Sequence, residues 1–190
     1  MKFKHVEFTI KQLLFLIIYK VFLVRFPSST TIFIGKYCKK IRYLCCKNIF
    51  LYCGENVNIE KGAYFGTGFR LKIGHNSGLG LNCFVPGDIE IGNDVMMGPE
   101  CHILSSNHSF DRLDIPMMKQ GNSTSRKTII NDDVWIGRQV IFTPGRLVKK
   151  GTIIGAGTVL TKDFPEYSVV AGNSSRLIKN RLDSSIKSKL

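Results

Sequence analysis

From residue 73 onward the apolar positions of the chain fall at a fixed interval of six. Ile73, Leu79, Val85, Ile91, Met97 and Ile103 are six apart, and all are aliphatic or methionine. The next residue in each case is Gly74, Gly80, Pro86, Gly92, Gly98 or Leu104. The residue four after each of the first five is Ser77, Cys83, Ile89, Val95 or Cys101, small or aliphatic. The step resumes at Ile130, Ile136, Phe142, Val148, Ile154 and Leu160, with Gly137 and Gly155 in the following place, and a less regular copy runs earlier through Ile59, Ala63 and Phe65. A helix repeats near 3.6 residues and a half-buried strand near 2. Six with a following glycine fits a short strand and a tight turn, with one large and one small side chain turned inward on each flank. Such units bury their apolar side only by stacking, so the pattern predicts a mainly β solenoid in which each rung is covered by its neighbours.

Between Ile103 and Ile130 the interval is 27 residues, which six does not divide. The stretch 105–128 therefore leaves the solenoid as a loop. It is polar and punctuated by Asn107, Asp111, Asp114, Pro116 and Gly121. Connections longer than about 12–15 residues inside a compact domain are usually functional or disordered. A histidine, His108, stands at the base of this one and points to function.

The first 53 residues obey a different pattern. The run KQLLFLIIYKVFLVRF, residues 11–26, is broken by Lys20 and is shorter than the roughly 20 residues needed to cross a bilayer. Pro27-Ser28-Ser29-Thr30 then stops a helix, and no small-x-small cleavage site follows as a signal peptide requires. A second stretch holds Lys36, Tyr37, Lys39, Lys40, Arg42, Tyr43, Lys47 and Phe50. Two mutually compatible arrangements satisfy this. Short helices cap the solenoid, or an interfacial anchor sets its apolar face in the lipid boundary with Lys and Arg at the headgroups.

Charge sharpens that reading. Of a net charge of +13, residues 1–53 carry ten Lys/Arg against Glu7 alone, whereas 54–190 carry seventeen against thirteen acids. A basic front end meets nucleic acid or an anionic membrane. No nucleic-acid motif accompanies it and its neighbours are apolar, which favours peripheral contact with an anionic membrane and no nucleic acid. The six cysteines, Cys38, Cys45, Cys46, Cys53, Cys83 and Cys101, form no CxxC and no zinc spacing. A chain of 190 residues does not need staples, so they read as reduced thiols of a cytoplasmic protein, Cys83 and Cys101 as small inward hydrophobes. The organisation is then a basic-apolar helical segment 1–53, a repeat domain 54–180 with its loop 105–128, and a tail 181–190.

Three segments carry a resemblance: SSNHSFDRLDIP (105–116), INDDVWIG (130–137) and IIGAGTVLTKDFPEYSVVAGNSSRLIK (153–179). In order and spacing, over about residues 54–180, they resemble the hexapeptide-repeat O-acetyltransferases that act on galactosides, maltose and capsular or other surface polysaccharides. The resemblance implies a left-handed parallel β-helix of triangular section with a protruding catalytic loop, a homotrimer with sites between neighbouring prisms, and acetyl-CoA as co-substrate with no metal. The acceptor it implies is a saccharide, a surface polysaccharide or its precursor, handled at the inner face of the membrane. It makes His108 the general base, a task suited to a neutral imidazole near pH 7, and Asn82 a contact to the acceptor or thioester. It assigns Trp135, Gly137, Arg138, Ala156, Thr161, Lys162, Arg176 and Lys179 to coenzyme A. Trp135 reads equally as buried packing and as a wall of the site. Asp111 could orient the imidazole, but loop acids are usually just solvated; backbone N–H groups could serve the oxyanion.

The chain also departs from that family. Gly172-Asn173-Ser174-Ser175 lacks the usual proline, which leaves the turn less fixed. Arg146 and Lys149 occupy places that are small or glycine elsewhere, and they predict a bulged coil. A γ-class carbonic anhydrase on the same fold, with zinc on His75, His102 and His108, is the enzymatic alternative; an inactive solenoid scaffold is the other.

Overall fold

The computed structural model describes residues 2–3, 6–123 and 126–183. His5 and positions 184–190 of the tail lie outside the described residues. The six-residue step builds a three-faced prism of two-residue strands. On the first face Tyr52–Cys53, Lys72–Ile73, Glu90–Ile91, Ile129–Ile130 and Leu147–Val148 pair in parallel. The second face stacks Asn58–Ile59, Gly78–Leu79, Met96–Met97, Trp135–Ile136, Ile153–Ile154 and Ser168–Ala171. Its two ladders are joined by the Gly78 N–H, which donates to Val95 O at 3.0 Å. The third holds His102–Ile103, Ile141–Phe142 and Val159–Leu160, extended by single bridges to Phe84 and Tyr64. The second residue of each repeat strand turns inward: Ile59, Ile73, Ile103, Ile136 and Phe142 are all 0% exposed.

The glycine after each inward residue has a steric cause. A Cβ on Gly80 would lie 2.0 Å from Gly98 O, and one on Gly98 would lie 2.7 Å from the Gly137 carbonyl carbon. At these rungs successive turns stack too closely for a side chain. The residues two further on, Asn82 and Glu100, take the left-handed conformation (φ 52° and 60°) that closes the turn.

The bulge expected at Arg146 and Lys149 does not form. Leu147 and Val148 stay in register with Ile129 and Ile130. Arg146 turns its guanidinium to the rim, donating to Thr161 O at 2.9 Å and pairing with Asp163 at 3.5 Å. The large side chain leaves the core rather than swelling it.

Two helices, α1 (Ile10–Val21) and α2 (Gly35–Lys47), close the open end of the core. A capping box of Thr9 and Gln12 starts α1. That helix ends at Val21, tightens into a 3₁₀ turn at Leu23–Arg25, and so stops short of Pro27. Leu16, Tyr19 and Leu23 face inward. The Tyr19 hydroxyl donates to Ala63 O at 2.7 Å while its ring packs on Phe65, 4.7 Å between centroids. No helix among the described residues is long and apolar enough to cross a membrane.

All six cysteines are free thiols, and five of them are buried. Burial pushes Cys45 up to about 11 and Cys83 up to about 12, so these thiols stay protonated in the fold. Thiol reagents at neutral pH are expected to modify the five only on unfolding, which mass spectrometry of briefly labelled native and denatured protein reads directly. Above the ordinary thiol value of 9.0 the unfolded chain loses these protons and the folded chain keeps them. Stability is therefore expected to fall as pH rises past that value, seen as a declining denaturant midpoint.

Candidate active site

The excursion that carries His108 leaves the prism where the third face turns into the first. Glu90 and Ile129 are ladder partners despite being 39 residues apart, whereas Lys72 and Glu90 on the same face are separated by 18. The excursion closes on itself. His108 bridges Asn122 in antiparallel fashion, the Ser109 N–H donates to Gly121 O at 3.0 Å, and the Ser123 N–H donates to Asn107 O at 2.9 Å. Further out, the Gln120 amide donates to Arg112 O (2.8 Å) and Ile115 O (3.1 Å) and accepts from the Arg112 N–H. These bonds fix the backbone on both sides of His108 and leave its ring exposed, with no side-chain hydrogen-bond partner among the described residues. Asp111 is exposed on the same arm.

A second group of candidates gathers on a different edge, where the second face turns into the third. The turns of that edge are tied in a column: Asn82 N–H to Lys61 O, Glu100 N–H to Leu81 O, Gln139 N–H to Pro99 O and Gly157 N–H to Arg138 O, all 2.7–2.9 Å. Asn82, Gly137, Arg138 and Ala156 therefore share one edge, and Trp135 opens onto the second face beside it. Trp135 is 52% exposed, so it is not core packing. Arg176 joins the far end of this edge as the strand partner of Ala171. Lys179, the partner of Val169, lies further back along the second face. Thr161 and Lys162 follow the third-face strand Val159–Leu160 and so fall on the other edge, with His108. One chain thus holds the histidine and most of the proposed coenzyme contacts on opposite sides of its third face.

The turn lacking proline is pinned by another route. Ser175 is buried; its N–H donates to Val159 O at 3.0 Å and its Oγ accepts from the Thr161 N–H at 3.1 Å. Hydrogen bonding takes the place of the ring's restraint.

A cleft of about 530 Å³ opens on the second face, lined by Ser28–Thr30 of the interhelical connection, by Asn58, Glu60 and Met96, and by Gly80 and Leu81 of the Asn82 turn. None of Ser29, Asn58 or Met96 stands out in the sequence. They meet only because α2 holds the 28–30 segment over the first coils, a long-range contact without a local signal. The outward place two-residue strands give to Asn58 and Met96 was the one hint available.

Both ring nitrogens of His75 are engaged, Nε2 with the Tyr52 hydroxyl at 3.0 Å and Nδ1 as acceptor from the Glu55 N–H at 3.1 Å. It is committed to the turn rather than free to ligate, which disfavours the zinc alternative. No family model matches the sequence. The chain is 32% identical over 148 residues to galactoside O-acetyltransferase of Lactococcus lactis, covering 73% of this chain and 67% of that protein. The chain belongs to the hexapeptide-repeat acetyltransferases. Galactoside O-acetyltransferase of Escherichia coli K12 is also 32% identical, over 70% of this chain and 65% of its own length. The chain thus spans about two thirds of these curated relatives. WbbJ of E. coli K12, which carries the name of a lipopolysaccharide biosynthesis O-acetyl transferase, is 25% identical over 83% of this chain and 86% of its own.

Solved structures agree with this placement. A maltose O-acetyltransferase from Clostridium difficile 630 superposes with a TM-score of 0.69 at 28% identity, over 90% of this chain and 86% of that one. A galactoside acetyltransferase in complex with coenzyme A gives 0.65 at 25% identity, over 92% and 84%.

Proposed function

We propose that the protein transfers the acetyl group of acetyl-CoA to a hydroxyl of a saccharide, a surface polysaccharide or its precursor, with His108 as general base. The observation that carries this reading is an exposed imidazole, without a hydrogen-bond partner among the described residues, on a backbone clamped from both sides. Family membership and the coenzyme A complex of a structural neighbour support the donor. In the proposed step the acceptor oxygen attacks the thioester carbonyl as its proton passes to the neutral imidazole. Collapse of the tetrahedral intermediate breaks the C–S bond, and the imidazolium returns the proton to the leaving thiolate. The product is the sugar ester and free coenzyme A.

Because His108 and the Asn82–Ala156 edge lie on opposite sides of the third face, we assign the working site to two chains, the histidine of one and the edge of its neighbour, in a homotrimer. The loop tip supports this: Leu113 is 98% and Met118 85% exposed, apolar surface that a neighbouring prism would cover. The cleft beside Asn82 is the acceptor's place, with Asn58 and Ser29 as hydroxyl partners. Incubation with labelled acetyl-CoA and a panel of free and lipid-linked saccharides, read by mass, tests the reaction. A gain of one acetyl group on a sugar oxygen is expected; no transfer to any sugar would end this reading. Co-expressing the His108→Ala and Arg138→Glu chains tests the shared site. Mixed trimers are expected to recover part of the activity that each variant lacks alone, and no recovery would place the site within one chain.

A further inference from the structure

The outward faces of α1 and α2 carry exposed apolar side chains that the proposed site does not use. On α1, Ile10, Leu14, Ile17 and Val21 are 50–74% exposed. Their spacing of four, three and four sets them in one stripe, directly opposite the buried Leu16, Tyr19 and Leu23. Lys11 and Lys20, both exposed, flank the stripe on either side. Helix α2 repeats the device, with exposed Tyr37, Ile41 and Leu44 beside exposed Lys36, Lys40 and Lys47. Between the helices Phe33 is 87% exposed and its backbone sits at φ 66°, an uncommon conformation for a bulky residue. The loop holds an aromatic ring out into solvent. No Asp or Glu occurs from residue 8 to residue 54.

We infer that this surface docks on an anionic lipid bilayer, the stripes of α1 and α2 and the Phe33 ring entering the interface and the lysines meeting headgroups. Charge selects the occupant. A second copy seated face to face would bring together two segments of net +9 each, counted over residues 1–53, and like charges would oppose the apolar contact. Anionic headgroups neutralise the same lysines, and an apolar stripe with a basic border is the pattern of a helix lying in the membrane plane. At 12 and 13 residues the helices are too short to span. The inference stands independently of the acetyl-transfer reading.

The test is sedimentation of the full chain with vesicles of phosphatidylcholine alone and of phosphatidylcholine with phosphatidylglycerol. Binding to the anionic vesicles only is expected, weakening as salt is raised. The pair Ile17→Asn and Phe33→Ser, which leaves net charge unchanged, is expected to cut that binding about tenfold or more, with an unaltered melting temperature and solution mass. A Phe33→Trp chain is expected to gain a blue-shifted emission component on anionic vesicles that wild type lacks. No sedimentation, binding indifferent to the apolar pair, or a lower solution mass in the pair would each overturn the inference, the last by revealing a contact between copies.

Discussion

His108→Ala is expected to lower acetyl transfer by about 10²–10⁴-fold, the range of a positioned general base, without disturbing the fold. Among the described residues the side chain makes no hydrogen bond that the loop needs. The clamp is built from backbone groups at 107–109 and 121–123 and from Gln120, all of which survive the substitution. Binding of acetyl-CoA rests on the other edge of a neighbouring chain in the proposed site, so the loss should fall on kcat and leave KM for acetyl-CoA nearly unchanged. The limb of the pH–rate profile that reports the base should vanish with it. Gln120→Ala makes a useful companion. It frees the loop tip without touching the imidazole, so it should raise KM for the acceptor and lower kcat less than His108→Ala does. Equal activity of wild type and His108→Ala in steady-state assays would remove the histidine from the reaction.

The solenoid was legible because its geometry leaves little choice at each position. Inward places take apolar or small side chains, buried hydroxyls such as Ser77 and Thr158 being bonded to backbone carbonyls. The tight corners must admit the next turn, as the Gly80, Gly98 and Gly137 column shows. Periodicity therefore survives as sequence. Where periodicity failed as a guide, at Arg146, the side chain had an escape to the rim and an acidic partner in Asp163, which a count of sixes does not contain. The departure of the loop was equally plain, since 27 is not divisible by six. Its closure was not, because the bonds that shut it link residues 5 to 16 apart through backbone groups, one glutamine amide and one serine hydroxyl.

The candidate site was half legible. Residues bound to a repeat position, such as Gly137 and Ala156, could be placed on an edge once the prism was granted. The cleft could not, because Ser29 and Asn58 come together through α2, and helices carry no mark of where on the first coil they will settle. Arg42 is the instructive case. In sequence it sits among lysines and reads as one more surface cation; in the fold it is 0% exposed.

Arg42→Met is expected to cost about 3–5 kcal/mol, the effect of removing one partner from a buried ionic contact. Nε of Arg42 donates to Ile59 O at 2.5 Å, and Nη1 donates to Pro27 O at 2.7 Å and Phe26 O at 3.3 Å. Nη2 lies 3.7 Å from Glu60 Oε2, close enough for an ion pair and too far for a hydrogen bond. One guanidinium thus ties α2 to the first coil and to the segment that roofs the cleft. Methionine fills similar space but leaves three carbonyls without their donor and the Glu60 carboxylate without its neighbouring cation. At about 2–4 °C per kcal/mol for a chain of this size, the melting temperature should fall by about 6–20 °C at fixed protein concentration. Glu60 gives the same network a pH signature. Burial works against its charge, but hydrogen bonds from Ser29, Asn58 and the Lys61 backbone outweigh burial and hold the carboxyl below its ordinary 4.5. A depressed carboxyl stabilises the fold fully above its unfolded value and loses that contribution as pH falls through the folded one. Wild type should therefore soften below about pH 4.5, and Glu60→Gln should be less stable near neutrality and lose less on acidification. A melting temperature of Arg42→Met within a degree of wild type would mean that the buried guanidinium is replaceable by apolar packing, and that the cleft is roofed by something other than this contact.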